Sequence, residues 1–328
     1  MTRTILRTLT SGLALLCLCG AAGAQSLPLA DCRISAGPGY PGIKARCGTL
    51  PRPLNPDDPD SPQIELRVAV VPALNLSPET DPVVPIAGGP GQGTVEFYAM
   101  MQGAFEPLRR NRDILLVDQR GTGESARMDC PIDDDAIIFE SEFNLEDTVE
   151  FISECLEKLP HDPRYFTTSV AVTDLEAARV ALGYTSLNLY GVSYGSRVAQ
   201  HFARRYPEST RTVVIDGVVP PQISLGPEIA TESQRAVDNI LARCAADAAC
   251  SESFPDIEAT FRRVVAELRE SPVQVLVPHP NTGRIEEVAF GAGQLAGAVR
   301  LLAYNPNTIA LLPLMIHEAG EGNFVPVS

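Results

Sequence analysis

The sequence predicts an α/β fold, a mainly parallel sheet flanked by helices, followed by a mostly helical region. Three observations carry this expectation. Short apolar runs recur at 83–86, 114–117, 187–190 and 213–215 and read as strands, the first two of them as buried strands. Helical periodicities lie between them, and strand–helix–strand alternation implies parallel pairing with helices on the sheet faces. After about Pro220 the alternation stops and helical patterns take over.

The first residues read as an export signal over 1–24. Arg3 and Arg7 give a positive start, residues 13–20 form a short apolar core, and Ala22-Gly23-Ala24 offers a small-residue cleavage site before Gln25. That apolar run is too short to span a bilayer. Leu16 and Leu18, not small residues, precede Cys17 and Cys19, which argues against a lipid anchor. A secreted or periplasmic protein without a membrane span is expected.

Residues 25–62 are rich in Pro, Gly and Asp and read as a loop-rich extension. The α/β core is expected over 63–220. Ile64, Leu66, Val68 and Val70 alternate as on a strand with one buried face. A helix is expected over 145–159, capped by Asn144, with Val149, Ile152 and Leu156 on one face and Pro160 ending it. Another is expected over 174–182, closed by Gly183. The strand at 187–190 leads into a helix over 194–206 with Val198, Phe202 and Tyr206 at four-residue spacing. Residues 221–328 read as a helical cap, with helices over 228–245, 256–269, 291–303 and 306–319 and a Val-rich piece at 273–277.

The chain has 26 basic and 41 acidic residues. Removing the two arginines of the signal leaves 24 against 41, a net charge of −17. That balance argues against nucleic acid and anionic membranes as partners. Of eight cysteines, two lie in the signal, leaving Cys32, Cys47, Cys130, Cys155, Cys244 and Cys250. An even number in an exported chain favours disulfides. Six cysteines allow fifteen pairings; neighbour pairing, 32 with 47, 130 with 155 and 244 with 250, closes the shortest loops. No CxxC or His–Cys spacing supports zinc, and no metal or cofactor is expected.

The sharpest chemical signal is Gly191-Val192-Ser193-Tyr194-Gly195, set between an apolar strand and an amphipathic helix. A serine on so tight a turn needs small neighbours two residues away on each side, and the turn lifts its hydroxyl above the sheet. The helix N-terminus favours negative charge there. A second signal, Gly88-Gly89-Pro90-Gly91-Gln92-Gly93, follows the 83–86 strand, where a second oxyanion donor would stand. It is no phosphate loop, because the GxGxxG spacing is absent and Pro90 has no N–H. A third, Asp118-Gln119-Arg120-Gly121-Thr122-Gly123-Glu124-Ser125, ends the 114–117 strand. It reads either as site scaffolding or, preferably, as a buried turn whose arginine pairs a carboxylate.

GGPG, DQRGTGES and GVSYGS, in this order and at these separations, resemble the proline iminopeptidase and tripeptidyl-aminopeptidase group of α/β-hydrolases. The resemblance runs from about residue 64 to the end. It implies an α/β-hydrolase fold with Ser193 as nucleophile. The oxyanion hole would be formed by the N–H groups of Tyr194 and of the loop holding Gly88, Gly89 and Gly91. Cap carboxylates, for which Glu228 and Glu232 are the candidates, would bind a substrate ammonium. Ala87 departs from the histidine that many relatives carry before GGPG.

In this fold the triad runs Ser, acid, His along the chain. After Ser193 come only His201, His279 and His317, none in the expected setting after a strand. Asp216 ends a strand and could be read as the acid, but structural is the preferred reading, because the resembled family takes its acid one strand later. The sequence therefore reads as stopping inside the cap, before both partners. The function implied is an exported serine aminopeptidase acting through an acyl-enzyme on a peptide or small ester or amide, inactive as this chain alone. An esterase on the same scaffold, or a non-catalytic peptide-binding relative, are the alternatives.

Overall fold

The structure, a computed structural model, describes residues 26–58, 60–130, 145–279 and 283–328. The export signal and the Asn144 cap lie outside the described residues. Seven strands form one sheet in the order β1-β2-β3-β5-β4-β6-β7. They are β1 (Ala30–Ile34), β2 (Ile43–Pro53), β3 (Gln63–Val71), β4 (Glu79–Ile86), β5 (Arg112–Val117), β6 (Leu187–Val192) and β7 (Thr210–Asp216). The first three add antiparallel, and β5, β4, β6 and β7 are parallel to one another.

Strands β4, β5 and β6 are buried on both faces, as their apolar runs imply, whereas the edge strand β7 is largely exposed, with Val213, Val214 and Ile215 38, 52 and 38 % exposed. Ile114 and Leu116 of β5 join one core with Val95, Tyr98 and Phe105 of α1 (Thr94–Arg109). Leu115 and Val117 join the opposite core with Leu175 of α3 (Thr168–Ala181) and Phe202 of α4 (Tyr194–Arg205). Period-two alternation thus feeds two layers from one strand. Each such side chain contributes about 1.5–3 kcal/mol on burial.

Residues 25–62 correct the loop expectation, since they hold β1 and the eleven-residue β2. Pro51 and Pro53 pair with Glu65 and Gln63 of β3, while β1 covers β2 only over Ile43 to Cys47. The prolines therefore sit where the outer edge of β2 has no strand to serve, and no ladder bond is lost there.

Helix α2 (Leu145–Lys158) forms as expected, yet Val149, Ile152 and Leu156 are 55, 50 and 54 % exposed. Helix α3 starts six residues earlier than the sequence suggests, because the Thr167 side chain accepts from Val170 N and caps it.

The region after β7, expected as a cap, holds α5 (Ile229–Ala246), α6 (Ala248–Ser253), α7 (Ile257–Glu270), β8 (Val273–Pro278), β9 (Ile285–Phe290), α8 (Ala292–Leu302), α9 (Pro306–Ile309) and α10 (Leu312–Gly320). It has its own core, built on Leu241, Val264, Leu295, Leu312 and Ile316. The Val-rich piece pairs with β9 as a hairpin the sequence did not announce. The expected helix over 306–319 is two helices. Pro313 stands in the first turn of α10, where its missing N–H and the restraint on its predecessor break the run. The three neighbouring cysteine pairs stand at disulfide distance, with Cα atoms 5.8, 5.3 and 5.1 Å apart. No helix among the described residues is long and apolar enough to cross a membrane.

Candidate active site

The loops that follow β4 and β6 and the segment after β7 converge at the carboxyl ends of the parallel strands, where open α/β sheets place their sites. Ser193 stands between β6 and α4 with φ 53° and ψ −122°, a conformation costing on the order of 1–3 kcal/mol for a residue with a side chain. Its surroundings hold it there. Ser193 N–H donates to the Asp216 carbonyl at 2.8 Å, and its own carbonyl accepts from Ser196 N at 2.9 Å and Ser196 Oγ at 2.6 Å.

The glycines two residues to either side have steric causes. A methyl at Gly191 would lie 2.2 Å from the Gly195 carbonyl oxygen, and one at Gly195 would lie 2.1 Å from that of Ile86. The turn, the following helix and β4 touch at van der Waals distance only because both side chains are absent.

The glycine loop reaches the serine at its first residue. A methyl on Gly88 would come within 3.1 Å of Ser193 Cβ and 3.6 Å of Ser193 Oγ. Gly89 follows with φ +105° and lines the same cavity as Ser193 and Tyr194. Gly91 is not in that lining and has open space around its Cα. The N–H of Tyr194, first in its helix, has no intrahelical acceptor.

The cavity measures about 980 Å³. Its floor is Ser193, Tyr194 and Gly89; its walls are the Val219–Gly226 segment and apolar cap residues such as Ile229, Val237, Phe261 and Val299. Glu228 and Glu232 both face it. Glu232 is ion-paired with Arg235, whereas Glu228, which heads α5, pairs with no cation among the described residues.

No histidine or aspartate lines this cavity among the described residues. His201 lies along α4, where burial and then Arg204 and Arg205 lower its pKa below the ordinary imidazole value. His279 is 4 % exposed in the β8–β9 turn, bonded through its backbone to Arg284 O and Gly283 N. The His317 ring packs 5.6 Å from Phe254. Asp216 accepts from Tyr190 OH at 2.8 Å.

The DQRGTGES segment is the buried turn favoured above. Asp118 accepts from Val95 N at 2.9 Å and Glu124 N at 3.2 Å, fastening the start of α1 to the turn. Burial pushes its carboxyl pKa up, against those two N–H groups. Arg120 is clamped on Asp174.

Sequence reasoning gave no role to Ser196, Arg197 or the segment after β7. Their one signal is Pro220-Pro221, a stiff dipeptide directly beyond a strand that ends in the site.

A family model described as the alpha/beta hydrolase fold matches residues 81–243. The chain is 28 % identical over 278 residues to YuaR of Escherichia coli, covering 78 % of this chain and 55 % of that protein. It is 28 % identical over 223 residues to the serine protease Hip1 of Mycobacterium tuberculosis, covering 63 and 42 %. It is 27 % identical over 191 residues to the tripeptidyl aminopeptidase of Streptomyces lividans, covering 54 and 36 %. The chain spans about half the length of the curated relatives it matches. With that match laid over the β4–β7 sheet and its serine elbow, the chain has the α/β-hydrolase fold.

Proposed function

We propose that this chain carries the nucleophile of an exported serine hydrolase of the aminopeptidase kind. One observation carries the reading: a serine held at positive φ on a strand-to-helix turn, at the floor of a large cavity and against a glycine loop. Relatives named as a serine protease and a tripeptidyl aminopeptidase support the choice of peptide substrates.

In this reading Ser193 Oγ attacks the scissile carbonyl carbon and gives up its proton to a base. The base returns that proton to the amide nitrogen as the C–N bond breaks, the amine leaves, and water hydrolyses the acyl-enzyme to free the serine and the carboxylate. The N–H groups of Tyr194 and of Gly88 and Gly89 stabilise the oxyanion, and Gly91 serves the loop's path only. Glu228 takes the substrate ammonium, and Glu232 keeps Arg235. With no histidine in the cavity wall of the described residues, turnover by this chain alone is slow. Residues 1–24 direct export, after which the three cysteine pairs close.

Active-site labelling tests the reading. A fluorophosphonate is expected to modify Ser193, with no labelling of Ser193→Ala. Equal labelling of the two proteins would sink it.

A further inference from the structure

The segment that joins β7 to the cap has no strand or helix from Gly217 to Glu228, yet Val219 and the stretch from Ile223 to Gly226 form one wall of the cavity. Something else must fix its course. Three side chains of the nucleophile's own helix do so. Ser196 Oγ accepts from Val219 N at 2.8 Å while donating to the Ser193 carbonyl at 2.6 Å. Gln200 Nε2 donates to Val219 O at 3.4 Å, a long bond. Arg197 makes the central contact: one terminal nitrogen donates to Pro220 O, at 2.7 Å, and to Ile223 O.

The geometry points to Arg197 as a positioning residue for substrate binding, resting on the reading of Ser193 as the nucleophile facing this cavity. Neither carbonyl belongs to a helix or strand; Pro220 O also accepts from Ile223 N at 3.4 Å, a long turn bond, so the guanidinium is the main anchor that ties this turn to α4. Pro220 and Pro221 supply no N–H of their own for a local turn bond. Arg197 pairs with no carboxylate among the described residues, and its Nε is buried without an acceptor. A buried unmade donor is unfavourable. The side chain keeps this pose because its head group spans the two carbonyls, not because its charge is neutralised. Ser196 links the same segment to the Ser193 backbone, so wall and nucleophile move as one body. Arg197 therefore sets how far Ile223 and Leu225 stand from the serine, and with it the size of the residue accepted beside the scissile bond. It touches no reacting atom.

Hydrogen exchange of the whole chain tests this, comparing wild type with Arg197→Met and Arg197→Lys. In Arg197→Met the amides of 222–229 are expected to exchange at least about tenfold faster, with the β4–β6 core unchanged. Arg197→Lys, which keeps a cationic donor on the same stem, should stay within about threefold of wild type. Titration with the tripeptide amide Ala-Ala-Phe-NH2 should show about tenfold weaker binding to Arg197→Met and near-normal binding to Arg197→Lys. Unchanged exchange at 222–229 in Arg197→Met overturns the inference. If Arg197→Met does not fold, Arg197→Lys decides: core and segment loosening together would mean a general structural role. Wild type that fails to bind the peptide or to be labelled at Ser193 refutes the proposed function, while the exchange result still judges Arg197.

Discussion

Arg120 and Asp174, far apart in sequence, form a two-pronged ion pair at 2.7 and 3.0 Å with side chains only 1 and 2 % exposed. The remaining guanidinium N–H groups reach the carbonyls of Leu54 and Tyr165, and Asp174 also accepts from Arg52. The pair ties the turn after β5 to α3 and to the end of β2. A buried pair adds little over an apolar replacement, but losing one partner strands the other. Arg120→Met is expected to cost about 3–5 kcal/mol in denaturant unfolding. A loss below about 1 kcal/mol would show that Arg52 alone satisfies Asp174.

The two glycine classes in the site should respond differently to alanine. At Gly195 the added methyl meets the Ile86 carbonyl oxygen at 2.1 Å, backbone that cannot yield without parting α4 from β4. Gly195→Ala is expected to lose more than about 4 kcal/mol or to fail to fold. Gly91 has φ +115° but nothing within 4 Å, so Gly91→Ala carries only backbone strain of about 1–3 kcal/mol. Thermal melting of the two variants checks the order. Equal losses would mean that strain, not contact, governs both.

This contrast bears on what could be read in advance. Strands β4, β5 and β6 were legible because both faces are buried, leaving apolar runs such as 114–117. The elbow was legible because its chemistry demands glycine at fixed positions. β1 and β2 were not, since Pro51 and Pro53 are tolerated only by an unpaired outer edge, a tertiary fact. β9 was missed because Glu286 and Glu287 interrupt its alternation. Nor does local sequence say that Arg197 would meet Pro220 O, because that contact depends on where the chain goes after leaving the sheet.

Acid should act on the sheet through Asp81. It is 6 % exposed and accepts from Arg112 at 3.1 Å and Asn188 at 2.9 Å, with Arg211 at 3.1 Å. Burial alone would raise its pKa, but the bonds from Asn188 and Arg112 and the charges of Arg112 and Arg211 outweigh it and hold the value below the ordinary 3.8. A carboxylate with a lowered folded pKa binds fewer protons folded than unfolded. Its contribution is therefore complete above about pH 4 and lost as pH falls through the lowered value. Asp81→Asn should remove that part of the acid limb, and at pH 7 cost about 1–3 kcal/mol. Unfolding free energies of both proteins from pH 2 to 7 test it; parallel curves would mean that Asp81 titrates alike in both states.

The last prediction concerns Ser193 itself. Its hydroxyl has the strained elbow, the Gly88 contact and a helix N-terminus, but among the described residues no histidine shares its cavity. Without an imidazole beside it the alcohol keeps its proton at neutral pH, and nucleophilic attack starts from the weak neutral form. What is left is the oxyanion hole and binding, which in a protease stripped of its triad amount to roughly 10³–10⁴-fold over water. Purified protein covering residues 25–328 is thus expected to cleave tripeptidyl and aminoacyl chromogenic amides at barely measurable rates. Activated aryl esters, whose leaving group needs no proton, should react faster, and Ser193→Ala should abolish both. Amide turnover at about 1–10³ s⁻¹, the range of ordinary enzymes, would contradict the prediction. His279→Gln and His317→Gln would then show which ring leaves its packed position to serve Ser193.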